Sequence, residues 1–468
     1  VRAKAFNSYK ILYLMDFHTP RVRGSLGFQT EEERTHNIRA SRLKHERQKP
    51  WALALGVCHK VLEKISPSKT EMRMLNSAAK EVISKLKKYI PAEPMLMGSV
   101  AKGTSLRGEA DVDLFFLFPK KYSKEEMGRI VIGACRKVFK KVLVHYAEHP
   151  YARFYYKNIK FDVVPAYKLK SISDMGSAVD RTQFHMQYIK KNLKKSQIKD
   201  VLLLKQFLKA NDLYGAEIKT QGFSGYLCEL LIIKYGSFEK LLREAAKWKP
   251  QTPHPLLIPD PVDEKRNVAS PLSRENFERF VALANAFLKN PSEEFFFPEI
   301  KKLSKKQLAE KFANVVGVVF PSPKVVDDIK WGQIRKLKHQ LECFLSQKGF
   351  FIENIFLYDD NKISAFIIHY FPDRLPPYAV QRGPPLEDEK NVSKFRRKHK
   401  RTFVKGDRIY ALEKQPQEME EWLRIFFKSI LPSKYEKNKK KMKIYKKEKV
   451  LSEFAWLLSK EVWKKEHL

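Results

Sequence analysis

Gly98-Ser99-Val100-Ala101-Lys102-Gly103-Thr104-Ser105-Leu106-Arg107-Gly108-Glu109-Ala110-Asp111-Val112-Asp113-Leu114-Phe115-Phe116-Leu117-Phe118 falls into two halves. The first is small, polar and glycine-rich, so its backbone N–H groups can come close to an anion. The second reads as a strand, with Asp111 and Asp113 alternating with apolar residues before an apolar run. Side chains two apart on a strand share a face. Two neighbouring carboxylates repel each other unless a cation sits between them. A phosphate cradle beside paired carboxylates is what metal-dependent phosphoryl transfer requires.

Working outward, two amphipathic helices precede the cradle. Leu53, Val57, Val61, Leu62 and Ile65 recur at helical spacing up to Ser66-Pro67, and Leu75, Ala79, Val82, Ile83, Leu86 and Ile90 repeat the pattern up to Pro91. A third helix is expected between 122 and 142, with Ser123 as N-cap. Strands follow at 152–156 and 159–164, joined by a tight Lys157-Asn158 turn. The second carries Asp162 in a strongly strand-forming run. Asp162 either faces water on an edge strand or is paired or metal-bound, since burying a lone carboxylate is costly. The Asp-Val-Asp strand upstream argues for the ligand. Three carboxylates from two strands make an all-oxygen site suited to magnesium rather than zinc. Two magnesium ions would then activate an attacking hydroxyl and neutralise a leaving pyrophosphate.

A chain of 468 residues accommodates two to four domains. Its 91 Lys and Arg against 53 Asp and Glu give a net charge of +38, which points to a polyanionic partner. No apolar run approaches the roughly 20 residues of a membrane span, and no secretory signal is expected. Cys58, Cys135, Cys228 and Cys343 sit in apolar helical patterns and read as reduced core residues of a cytoplasmic protein. No Cys-x-x-Cys or His-Glu-x-x-His spacing suggests zinc.

After Pro165 the pattern turns helical, with Asp180 placed to cap a helix that carries Thr182 and His185 on one face. On its own, His185 reads as structural. Lys205 lies within an apolar helix, 198–211, where a lysine is expected to snorkel to solvent. Gly222-Phe223-Ser224-Gly225 opens a long helix over 226–247, and a proline-rich loop over 250–261 leads to a polar knot, 260–269. There Asn267, beside Lys265 and Arg266, belongs either to a surface loop or to a reader of base edges. A helix from Ser273 through Asn285 follows. From Ser322 a helix over 331–348 and strands over 352–358 and 363–370 suggest a small α+β domain. A turn-like stretch over 381–389, a basic run over 394–401 and a hairpin over 402–412 come next. The lysines of 437–449, interleaved with aromatic and apolar residues, form either a solvated surface or an RNA contact. Residues 1–50 read as a disordered extension or a basic arm on RNA.

The cradle, the Asp-Val-Asp strand and Asp162 resemble polymerase β-like nucleotidyltransferases. The blocks Asp162-Val163-Val164-Pro165, Ser177-Ala178-Val179-Asp180-Arg181-Thr182, Gly222-Phe223-Ser224-Gly225-Tyr226, Asp260-Pro261-Val262-Asp263-Glu264-Lys265-Arg266-Asn267-Val268-Ala269 and Arg382-Gly383-Pro384 resemble the archaeal, class I CCA-adding tRNA nucleotidyltransferases. The resemblance runs from about Trp51 and says nothing of the extension over 1–50; it implies an α+β multidomain protein with a catalytic head over 51–195, a helical neck over 196–321, and a ferredoxin-like body with helical tail over 322–468. It implies that Asp111, Asp113 and Asp162 hold two Mg2+ ions. Ser99 and Lys102 would then contact the triphosphate, His185, Lys205 and Tyr214 the nucleotide, and Arg266 the base. The family often has Glu at the position of Asp111 and Arg at that of Lys102. The implied substrates are CTP, ATP and the tRNA acceptor arm, and a homodimer is left open. The same cradle and carboxylates occur in oligoadenylate synthetases and poly(A) polymerases, which form the alternative.

Overall fold

A computed structural model describes residues 53–109, 111–146, 150–175, 179–431, 433–436 and 439–467. The expected extension over 1–50 lies outside the described residues. The chain is α+β and multidomain. Helix α1 covers 53–65 and α2 covers Lys69–Leu86, started by Ser68, whose hydroxyl accepts from the Glu71 N–H. Strand β1 (Glu93–Met97), the short helix α3 (Gly98–Lys102) and β2 (Val112–Phe118) follow. Helix α4 (Lys124–Val138) opens on a reciprocal box between Ser123 and Glu126. Then come β3 (Leu143–Tyr146), β4 (Pro150–Tyr156) and β5 (Ile159–Tyr167). Lys157 and Asn158 take φ of 51° and 59°, as the tight turn between β4 and β5 requires.

These strands form one sheet in the order β1-β2-β5-β4-β3. Only β2 and β5 run parallel, with Asp113 opposite Asp162. Alternation divides β2 between two cores. Val112, Leu114, Phe116 and Phe118 join α2 and α4 on one face, while Phe115 and Leu117 meet Met97 and Met186 on the other. Asp113 and Asp162 lie on that second face, beyond its apolar part. Strand β5 runs through Pro165 to Tyr167, past the point where helix was expected. Pro165 pairs with Phe116 of β2, and the pairing to β4 has already ended at Val163.

A helical layer comes next: α5 (Arg181–Asn192), α6 (Ile198–Ala210), α7 (Gly225–Tyr235), α8 (Phe238–Ala245) and α9 (Arg274–Lys289). The expected single helix over 226–247 is two. Gly236, at φ 91°, ends α7, and Ser237 caps α8 by accepting from the Lys240 N–H. Asp180 precedes α5 but does not cap it with its side chain; its buried carboxylate accepts from the Tyr167 N–H. The core of this layer includes Ala54, Cys58, Val61 and Ile65, so α1 packs here rather than with the catalytic head expected over 51–195.

The C-terminal part contains α10 (Lys305–Lys311), β6 (Val315–Pro321), α11 (Asp327–Lys348), β7 (Phe351–Asp359), β8 (Ile363–Phe371), β9 (Tyr378–Pro385), α12 (Glu389–Lys398), β10 (Thr402–Lys405), β11 (Arg408–Lys414), α13 (Met419–Ser429), α14 (Ser433–Glu436), β12 (Lys443–Tyr445), α15 (Lys447–Glu453) and α16 (Ala455–Glu466). The order β12-β6-β8-β7, with α11 and α13 on one face, is that of a ferredoxin-like βαββαβ unit. Helices α10, α15 and α16 cover the other face. Strand β6 opens this unit, so the expected domain break at 322 moves to a point before α10. The stretch 381–389, expected as a turn, largely forms β9 of a second sheet, β10-β11-β9. Cys343 is exposed, against expectation, while Cys58, Cys135 and Cys228 are buried.

Candidate active site

The quoted stretch folds so that its two halves meet. Gly98, at φ 68°, lies against the Asp113 carboxylate, and a Cβ there would fall 1.9 Å from Asp113 Oδ2. Asp113 is half-buried at the edge of a cavity. Burial, then the charges of Asp162 and Asp111, pushes its carboxyl up to about 6. Arg153 on β4 holds Asp162 with two bonds, Nε to Oδ1 at 2.6 Å and Nη2 to Oδ2 at 2.7 Å. Lys160 pairs with Asp111.

Among the described residues no three Asp, Glu, His or Cys side chains converge closely enough to cage a metal ion. The donor set is nonetheless all carboxylate oxygen, and the mutual repulsion of Asp113 with Asp162 and Asp111 is what a cation between the groups relieves. The residues therefore fit a hard divalent cation, with Lys160 and Arg153 as its rivals for Asp111 and Asp162.

A cavity of about 280 Å³ opens beside Asp111 and Asp113 and is lined also by Ser99, Thr104, Ser105, Glu109, Lys205, Lys209 and Tyr214. Lys205 does not snorkel. It is 4% exposed, and its Nζ donates to the Thr104 carbonyl at 2.7 Å. Burial lowers its pKa, while the charge of Glu229 acts the other way. Lys102 is turned out of the cavity lining: its Nζ lies 2.6 Å from Glu229 Oε2, and Thr104 Oγ1 donates to Glu229 Oε1 at 2.8 Å. Glu229 is fully buried on α7.

His185 and Arg266 meet at a second cluster, on Asp260. His185 Nε2 lies 2.8 Å from Asp260 Oδ2, and Arg266 Nη1 donates to the same oxygen at 2.8 Å. Tyr226 Oη and the Val262 N–H donate to Oδ1 at 3.0 and 3.1 Å. Asp260 is wholly buried; burial pushes it up, and these bonds, led by His185, outweigh that and hold it at about 2. Asn267 is used to tie the loop to itself. Its side-chain oxygen accepts from the Ile258 and Ala269 N–H groups, and its amide donates to the Leu256 carbonyl.

Of the expected residues, Ser99, Asp111, Asp113, Lys205 and Tyr214 line one cavity and Asp162 is in register with Asp113. His185 and Arg266 form the Asp260 cluster, and Lys102 turns to Glu229. The first turns of α7 join these groups. A Cβ on Gly225 would lie 2.9 Å from Tyr214 Oη, Tyr226 bonds Asp260, and Glu229 follows one turn later. Sequence reading missed Glu229, Asp260, Arg153 and Lys209 as members of the site. Glu229 had a signal, a carboxylate set among Leu227, Cys228, Leu230 and Leu231.

A mostly antiparallel sheet presenting carboxylates from two parallel strands, beside a small cavity that two lysines share with them, fits the nucleotidyltransferase class. Residues 75–198 match the nucleotidyltransferase domain family, 199–297 the second domain of tRNA nucleotidyltransferase, and 312–426 the C-terminal domain of the CCA-adding enzyme. The chain is 34% identical to the CCA-adding enzyme of Methanocaldococcus jannaschii over 76% of its own length and 86% of that protein. It is 36% identical to that of Archaeoglobus fulgidus over 76% and 85% of the two chains, and 36% identical to that of Sulfolobus acidocaldarius over 77% and 88%. The chain belongs to the CCA-adding enzyme family.

Proposed function

We propose that this enzyme adds or repairs the 3′-terminal CCA of tRNA from CTP and ATP, without a nucleic-acid template, and releases pyrophosphate. The observation that carries this reading is the one cavity lined by Asp111, Asp113 and Ser99 together with Lys205, Lys209 and Tyr214. In this reading Asp111, Asp113 and Asp162 hold two magnesium ions. Bound there, the ions supply the positive charge that activates a 3′-hydroxyl and neutralises the departing pyrophosphate. Ser99, Lys205 and Tyr214, which line the same cavity, bind and orient the nucleotide. Lys102 adds a point charge near the phosphates while sharing Glu229. His185 and Arg266 hold the nucleoside, with Arg266 donating to the base.

The tRNA end reaches this cavity along a groove of about 520 Å³. Lys219, Arg279, Arg335, Lys338 and Lys464 line it, and it shares Lys209 and Tyr214 with the carboxylate cavity. Among the described residues no helix is long and apolar enough to cross a membrane. Three buried free thiols suit a reducing, cytoplasmic setting. The test is incubation of the protein and magnesium with a tRNA lacking its CCA, offering each nucleotide in turn. Ordered addition of C, C and A is expected. Open-ended growth on ATP alone would move the enzyme to the poly(A) polymerase-like class.

A further inference from the structure

We infer that Asp260 is a positioning residue for nucleotide selection, acting through Arg266 and His185. The inference rests on the proposed function and deepens it. An ionised carboxylate offers about four lone-pair sites, and Asp260 has a donor at each: His185, Arg266, Tyr226 and the Val262 N–H. The carboxylate only accepts, so His185 carries its proton on Nε2 at this contact and turns Nδ1 the other way. The ring is also clamped in plane, stacked on Tyr226 at 3.9 Å and 20°. One buried charge thus sets the tautomer and tilt of His185 and the rotation of the Arg266 guanidinium.

The backbone around Asp260 is equally tied. Its N–H donates to the Arg266 carbonyl, and the Arg266 N–H donates to the Asp263 carbonyl. Asp263 is itself taken by Arg181, which leaves Asp260 as the partner of Arg266. Arg266 remains one-third exposed, so donors beyond the Asp260 bond are open to a ligand. With one amino group fixed, the planar guanidinium presents its remaining donors in a set direction. A pocket that chooses a base without a template needs such a fixed direction. A donor aimed at the ring-nitrogen acceptor of cytosine or adenine fails to match uracil only if it cannot swing.

Asp260→Asn keeps the shape but removes the charge and replaces one acceptor with a donor. Steady-state incorporation of CTP, ATP and UTP onto tRNA lacking CCA, alongside melting curves, compares wild type, Asp260→Asn, Arg266→Ala and the double variant. In Asp260→Asn, KM for CTP and ATP should rise about tenfold or more, the scale of a lost charged hydrogen bond, and UTP should gain relative to CTP. In the double variant Asp260→Asn should add nothing to the CTP-to-UTP ratio of Arg266→Ala, since residues acting through one another are not additive. A lower melting temperature with unchanged KM and an unchanged ratio would overturn the inference and leave Asp260 a fold residue. A wild-type enzyme that incorporates neither CTP nor ATP would instead remove the reading on which the inference rests.

Discussion

Asp113 stands where an isolated protein would not put a charge. It is half-buried, against Gly98, with burial and two further carboxylates raising its pKa. Such unfavourable burial is common where chemistry needs it. Asp113→Asn should therefore abolish nucleotide addition and raise the melting temperature of the metal-free protein at pH 8, by on the order of 1 kcal/mol of stability. Activity assays and calorimetry check both halves; a lower melting temperature would contradict the burial argument. The Lys102–Glu229 pair makes a contrasting case. Glu229 is 1% exposed at its side chain and Lys102 14%. Lys102→Met strands a carboxylate that cannot reach water and should cost about 3–5 kcal/mol. Glu229→Gln keeps an acceptor for Thr104 and leaves a lysine that can turn outward, so the loss should be smaller, about 1–3 kcal/mol. Denaturant titration of the two variants decides the order.

At the scale of elements, the first turns of α7 serve the site with three residues, and Gly225 is the one that gives room. Tyr214 Oη is the far end of a flexible side chain, 2.9 Å from where a Cβ would be. Gly225→Ala should therefore fold normally, displace the hydroxyl, and raise KM for nucleotides severalfold without a matching fall in stability. Steady-state kinetics with a melting curve tests it, and an unchanged KM would remove Gly225 from the site. Elements built on local rules were legible in the sequence. Strand β2 showed its alternation, α4 its Ser123 cap, and the β4–β5 hairpin its Lys157-Asn158 turn. Elements decided by distant partners were not. Strand β9 contains Gly-Pro-Pro, which reads as a turn, yet β11 pairs along it and Gly383 lets the Ile409 carbonyl approach. The break between α7 and α8 hides in an apolar pattern that continues across Gly236-Ser237. The carboxylate pair was legible because Asp111 and Asp113 are two apart, although Asp111 precedes β2 rather than lying in it. Asp260 and His185 are 75 residues apart, and no local pattern joins them.

For the whole molecule, a net charge of +38 and a groove lined by lysines and arginines make RNA affinity a matter of counterion release. If six or more phosphates are neutralised, binding should weaken by on the order of 10³-fold between about 50 and 200 mM salt. Filter binding across that range measures the slope, and a flat response would assign the charge another task.

The route of the chain through its layers bears on how the enzyme can be dissected. Helix α1 belongs to the helical core, α2 to β5 build the catalytic sheet, and α5 and α6 return to the helices. The backbone therefore crosses between the two twice. The end of α1 is also tied to the loop after α3, where the Arg107 N–H donates to the Ile65 carbonyl. A single cut near 195 cannot yield two self-sufficient modules, because the C-terminal fragment would lack Ala54, Cys58, Val61 and Ile65. A 196–468 fragment should melt early and regain stability when a peptide spanning 53–65 is supplied in trans, as an apolar stripe refills its slot. Failure of that peptide to bind would show that the fragment closes over the gap by itself.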